Sequence, residues 1–310
     1  MVAPVMAART ARDACAGLRG RDLLSVRDLT GSELTSLIAF SADIKRDARR
    51  YERALAGRTL AMLFEKPSLR TRVSFDVASQ QLGAHAICLA PPEVGLGRRE
   101  TIADVAHTLE QMVHAVVLRT FSHASAEELA GAASIPVING LSDFSHPCQA
   151  LADYLTMQEV RGSLDGLRLA FVGDGNNVAN SLIFGAALMG IRMTIASPPG
   201  YEPRPDVLEW ARAHEAEPGI ACRVTSVPED AVSDADARRR AFAGFQVTEK
   251  LLGCARPGAV FMHCLPAHRG EEVAAGVIDS PQSVVFRQAA NRLHTEKALL
   301  VALLGGGVER

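Results

Sequence analysis

Apolar positions along the chain switch repeatedly between unbroken runs and a helical spacing. Thr59 to Phe64 is an unbroken apolar run, the pattern of a buried strand. Val73, Phe75, Ala78 and Leu82 then recur at helical spacing up to Gly83. Strands are predicted again at Ala84 to Ala90, Ala115 to Leu118 and Pro136 to Ile138, with Ile102, Val105, Leu109 and Met112 marking a helix between the first two. Upstream, Thr30-Gly31-Ser32-Glu33 has the form of a capping box, and Leu34, Leu37, Ile38 and Ala42 supply one helical face. A second set follows: strands at Leu167 to Val172, Ile191 to Ala196, Ile220 to Ser226 and Ala259 to His263, and helices at Asn177 to Met189 and Pro205 to Glu217. A helix from Pro147 to Val160 sits between the sets, and one from Asn291 to Leu304 closes the chain. The alternation predicts an α/β protein of two domains, each a mostly parallel sheet flanked by helices.

The 310 residues suffice for two such domains. With 48% hydrophobic and 22% charged residues the composition is that of a globular protein. A net charge of -2 gives no general attraction to nucleic acid or an anionic membrane, so an anion site must be a local concentration of arginine, and the balance points to a small ligand. Six cysteines without CxxC spacing predict reduced thiols in a cytosolic protein rather than disulfides or zinc. No apolar run approaches the ~18 residues of a membrane span. Met1 to Arg19, rich in Ala and Arg, superficially resembles a transit peptide but lacks Ser and reads as a disordered tail.

In open parallel sheets ligands bind beyond the carboxyl ends of strands, and four such ends carry unusual residues. The first is Phe64-Glu65-Lys66-Pro67-Ser68-Leu69-Arg70-Thr71-Arg72, where two hydroxyls and two guanidinium groups stand beside unpaired helix amides. A well-capped helix with surface arginines is the plainer reading of the same residues. The second is Arg119. The third is His146-Pro147-Cys148-Gln149, where Pro147 suits the first helical position and leaves His146 and Gln149 at the helix mouth. The fourth is His263-Cys264-Leu265-Pro266; neighbours on an extended strand point opposite ways, which argues against a shared metal ion. Gly173-Asp174-Gly175-Asn176-Asn177 partly matches a dinucleotide fingerprint. Its third glycine is replaced by Val178, and the next strand ends in Ser197-Pro198 with no acid for a ribose, so Asn176 and Asn177 are candidates to receive a polar substrate group instead.

Taken together with Asn291-Arg292-Leu293-His294, these segments resemble, in order and spacing from about Leu23 to Leu304, the aspartate/ornithine transcarbamoylase family. His-Cys-Leu-Pro favours its ornithine branch. The resemblance implies an N-terminal tail at 1–22, a carbamoyl-phosphate-binding domain at 23–150, an ornithine-binding domain at 151–290 and a C-terminal helix at 291–310 returning to the first domain. It implies a cytoplasmic enzyme of arginine biosynthesis, a homotrimer or multiple of trimers, with no cofactor and no metal. By that likeness Ser68, Leu69 (through its backbone), Arg70 and Thr71 hold the phosphate of carbamoyl phosphate. Arg119, His146 and Thr71 polarise the carbamoyl oxygen, Gln149 with the carbonyls near Cys264 and Leu265 read its amide, and Arg292 completes the pocket. Asn177 holds the amino-acid end of L-ornithine, and Cys264 helps to orient or deprotonate the attacking amine. Arg119, His146, Cys264 and Arg292 are the residues the likeness marks as catalytic.

Four departures from the family pattern stand out. Leu69 occupies a position often held by Thr, Gly95 one often held by Gln, and Ala290 one usually held by Glu. Between Ser226 and Phe245 a strand ending in Asp and a Ser-Met-Gly loop, which in the family grip ornithine, have no counterpart. Either a segment of the full molecule is missing from this sequence, or the chain is a deletion variant. In the latter case it is a transcarbamoylase of another amine, such as putrescine or N-acetylornithine, or a silent carbamoyl-phosphate-binding paralogue.

Overall fold

Four parallel strands in the order β2-β1-β3-β4 form the first of two sheets in the computed structural model, which describes residues 11–90, 94–216, 222–225 and 244–305. They are β1 (Thr59–Phe64), β2 (His85–Leu89), β3 (Ala115–Arg119) and β4 (Val137–Leu141). The helices are α1 (Gly31–Arg46), α2 (Leu69–Gln81), α3 (Ile102–Glu110), α4 (His123–Ala132) and α5 (Pro147–Arg161). β1 and β3 are central and almost wholly buried, which is why they read as unbroken apolar runs. β2, at the edge, alternates in exposure. The strand order reverses between β1 and β3, and the crevice beyond their carboxyl ends is where a sheet of this kind takes its ligand.

The second sheet has the order β5-β6-β7: β5 (Arg168–Val172), β6 (Arg192–Ala196) and β7 (Arg223–Thr225), again parallel. Around it lie α6 (Asn177–Met189), ended by Gly190 in the left-handed conformation, α7 (Pro205–Ala213), and the short α8 (Glu249–Gly253) and α9 (Ala275–Ile278). The chain closes with α10 (Val285–Leu304), which begins earlier than the sequence pattern predicts. Two compact units result, Met1–Leu155 with Asn291–Arg310, and Thr156–Ala290.

Two expectations are corrected. The segment read as a disordered tail is helical from residue 11 to 14 and continues as a 3-10 turn, Ala16–Leu18. Cys15 and Leu18, three residues apart, are buried there, the Gly20 amide donates to the Leu303 carbonyl at 2.9 Å, and burial pushes the Cys15 thiol up to about 12. An Ala- and Arg-rich composition hid two apolar anchors. The strand expected at Ala259 to His263 is reduced to a single bridge, Phe261 with Ser283. A strand needs a neighbour, and among the described residues β5 stands at the sheet's edge with none on its far side. The proposed excision between Ser226 and Phe245 falls almost wholly on 226–243, outside the described residues.

Candidate active site

The carboxyl ends of β1 and β3 are fastened to each other. Phe64 stands in register with Arg119, the Glu65 amide donates to the Arg119 carbonyl at 2.8 Å, and the Thr120 hydroxyl donates to the Glu65 carboxylate. Ser68 caps α2, its Oγ accepting from the Thr71 amide at 3.2 Å, so the helix starts at the switch point. Leu69 is exposed and Arg70 half-buried. Thr71 turns inward against β4, packed closely on a glycine: a Cβ on Gly140 would lie 3.2 Å from Thr71 Cγ2. A register shift between Leu118 and Arg119 in the β3–β4 ladder re-aims Arg119. After β4 the Asn139 amide donates to the Leu24 carbonyl at 2.8 Å and to Ser142 Oγ at 3.0 Å, shaping the loop that delivers His146 and Gln149.

These residues meet at Arg292, on α10 and 1% exposed. Its Nη1 donates to His146 Nε2 at 3.3 Å and to Gln149 Oε1 at 3.1 Å. Nη2 donates to Thr71 Oγ1 at 3.1 Å and Glu296 Oε1 at 2.7 Å, and Nε to Glu296 Oε1 at 3.1 Å. Gln149 in turn donates to Asp153 at 2.8 Å, and Lys45 of α1 steadies the neighbouring Asn291 at 2.7 Å.

Burial, then Arg292, Arg119, Arg70 and Lys66, hold His146 well below the usual imidazole range, so it is neutral at physiological pH. A neutral imidazole accepting at Nε2 carries its proton on Nδ1, which makes His146 a hydrogen-bond donor at that atom. Arg119 is lowered to about 10 by burial and by Arg292 and Arg70 yet stays charged, and its buried Nε makes no hydrogen bond. Four cations and donor hydroxyls converging on one strand-end crevice suit a small dianion and a neighbouring carbonyl oxygen.

The remaining sequence-predicted residues lie in the second unit. Asn177 opens α6, whose first amides at Val178 and Ala179 bond to the Asn176 side chain at 2.9 and 3.1 Å. A Cβ on Gly175 would lie 2.3 Å from Pro203, so that glycine's freedom serves local packing rather than the approach of a pyrophosphate. Leu265 holds φ at 56°, uncommon for a leucine, with its amide donating to His263 Nδ1 at 2.9 Å. Cys264 is half-buried beside it.

The N-terminal part, residues 21–159, matches the family model described as aspartate/ornithine carbamoyltransferase, carbamoyl-P binding domain. Residues 165–238 and 236–303 match the corresponding Asp/Orn binding domain. The chain belongs to the aspartate/ornithine carbamoyltransferase family. It is 48% identical to an ornithine carbamoyltransferase of Anoxybacillus flavithermus, over 93% of this chain and 98% of that protein. It is 46% identical to one of Bacillus subtilis, over 94% of this chain and 96% of that protein. The solved ornithine carbamoyltransferase of Pyrococcus furiosus is similar with a TM-score of 0.88 at 45% identity, covering 94% of this chain and 99% of that one. The Asp/Orn carbamoyltransferase match comes in two pieces meeting at 236–238, inside the stretch between Ser226 and Phe245 where the sequence departs from the family pattern.

Sequence reasoning missed Glu296, Lys45 and Glu65. Glu296 was visible as an acid one helical turn after Arg292, but such pairs are usually solvated.

Proposed function

We infer that the chain transfers the carbamoyl group from carbamoyl phosphate to the side-chain amine of L-ornithine, giving L-citrulline and phosphate. The observation that carries this reading is the convergence of Thr71, His146 and Gln149 on Arg292 at the switch point, in a chain nearly half identical to ornithine carbamoyltransferases along most of its length.

We propose that Ser68, Arg70, Thr71 and the Leu69 backbone take the phosphate, and that Arg119, Thr71 and His146 Nδ1–H donate to the carbamoyl oxygen. As the neutral amine attacks the carbamoyl carbon, negative charge grows on that oxygen; fixed donors stabilise it by several kcal/mol without reorganising. The carbon–oxygen bond to phosphate then breaks, and the phosphate leaves into the arginine cradle. Gln149, with the Cys264 and Leu265 carbonyls, reads the carbamoyl amide, Asn177 holds the amino-acid end of ornithine, and Cys264 orients or deprotonates its amine. No covalent enzyme intermediate is needed.

We further propose a cytoplasmic homotrimer serving arginine biosynthesis. Leu69 and Val73 at the start of α2 and Ile87 on edge strand β2 are exposed apolar side chains, which supports a subunit contact. Among the described residues no helix is long and apolar enough to cross a membrane.

The two-piece match of the Asp/Orn domain is the observation on which a second reading, a carbamoyl-phosphate-binding protein without turnover or one that uses another amine, would rest. Incubation with carbamoyl phosphate and ornithine, putrescine or N-acetylornithine separates these. Citrulline is expected; binding of carbamoyl phosphate with no carbamoylated product supports the second reading.

A further inference from the structure

We infer that Glu296 is a positioning residue for carbamoyl transfer, a buried carboxylate that fixes the Arg292 fork so that its remaining N–H groups hold Thr71, His146 and Gln149 in place. The inference rests on the reading of the site as a carbamoyl-phosphate site.

An arginine side chain has five N–H donors in one plane. Arg292 makes five hydrogen bonds, two to Glu296 and one each to Thr71, His146 and Gln149. Its donors are therefore all engaged within the protein, and its orientation follows from where Glu296 stands. Glu296 lies one turn further along α10 and is 1% exposed. The fork ties α10 to two other elements: α2 through Thr71, and the start of α5 through His146 and Gln149. Its bond to His146 Nε2 also selects the tautomer that leaves Nδ1–H as the donor. Glu296 thus acts on the reacting atoms through another residue, as a carboxylate that orients an imidazole does, with a guanidinium between them.

The groups facing the Glu296 carboxylate are Arg292 on its own helix, Ser74 of α2 and the Cys148 thiol of α5. Beyond Arg292, His146 faces Arg119, Arg70 and Lys66. Burial raises the Glu296 carboxyl to about 7 against the pull of Arg292. Below that pH the carboxyl gains a proton, its hold on Arg292 weakens, and the anchor loosens.

The test is carbamoyl phosphate binding by calorimetry across pH, with kcat and KM alongside, for the wild type and Glu296→Gln. In the wild type, affinity is expected to fall several-fold as pH drops through about 7. Glu296→Gln is expected to bind roughly tenfold more weakly at pH 8, to lose that acid limb, and to lower kcat while leaving KM for ornithine within about twofold. A folded Glu296→Gln with wild-type affinity and the same acid limb overturns the inference. Should that variant not fold, the wild-type profile decides: an affinity unchanged from about pH 8 to 6 overturns it equally. Absence of citrulline while these binding results hold counts against the transfer reaction and not against Glu296.

Discussion

Arg292 spends its donors on Thr71, His146, Gln149 and Glu296, so the residue that looks most like a substrate ligand is the one that organises the others. Lysine cannot reproduce a planar fork. Arg292→Lys should lower kcat/KM for carbamoyl phosphate on the order of 10²-fold or more, measured in steady state, in a protein that still folds. The tautomer of His146 gives a sharper comparison. An asparagine amide nitrogen falls near Nδ1 and a glutamine's near Nε2, so His146→Asn should retain at least about tenfold more activity than His146→Gln; the reverse order would refute the assignment. The same histidine shapes the pH dependence of stability. Its folded pKa lies below its unfolded value, so the unfolded chain binds the extra proton first and stability falls on acidification below about 6.5. Denaturant titrations should show His146→Asn losing less stability than the wild type between about pH 7 and 5, by up to ~1.4 kcal/mol per pH unit for one proton. Thr71, His146 and Gln149 were legible in the sequence because strand ends and helix mouths mark themselves by punctuation. Glu296 was not, because only the fold shows that its side of α10 is buried.

At the scale of elements, the site exists because a parallel sheet reverses its order between β1 and β3 and because β4 lets α2 come close. Gly140 is that allowance. Gly140→Ala would press a methyl against Thr71, and is expected to cost about 1–3 kcal/mol in unfolding free energy and to raise KM for carbamoyl phosphate several-fold. Unchanged kinetics would mean that α2 has room to give. The central strands were readable because burial on both faces makes an uninterrupted apolar run, as in Thr59–Phe64. α4 escaped notice because His123–Ala132 is rich in small residues and buries only Ala126 and Leu129. The segment at Ala259 to His263 has a strand's composition but, among the described residues, only the single bridge of Phe261 with Ser283, and pairing is a property no local pattern contains.

For the whole molecule, two alternating sets of strands and helices were enough to read the architecture, and the ordered motifs were enough to read the family. Neither supplied a reading of the amine's half of the pocket, since the Asp/Orn match divides at 236–238, inside the stretch where the sequence departs from the family pattern. The trimer reading predicts a solution mass three times that of the 33.0 kDa chain by light scattering, and a stable monomer at micromolar concentration would contradict it. The claim that matters most is the reaction. Pure protein given millimolar carbamoyl phosphate and L-ornithine should release citrulline and phosphate in equal amounts, and citrulline formation should collapse in Arg292→Lys. Saturable carbamoyl phosphate binding with no citrulline from the wild type would contradict the account.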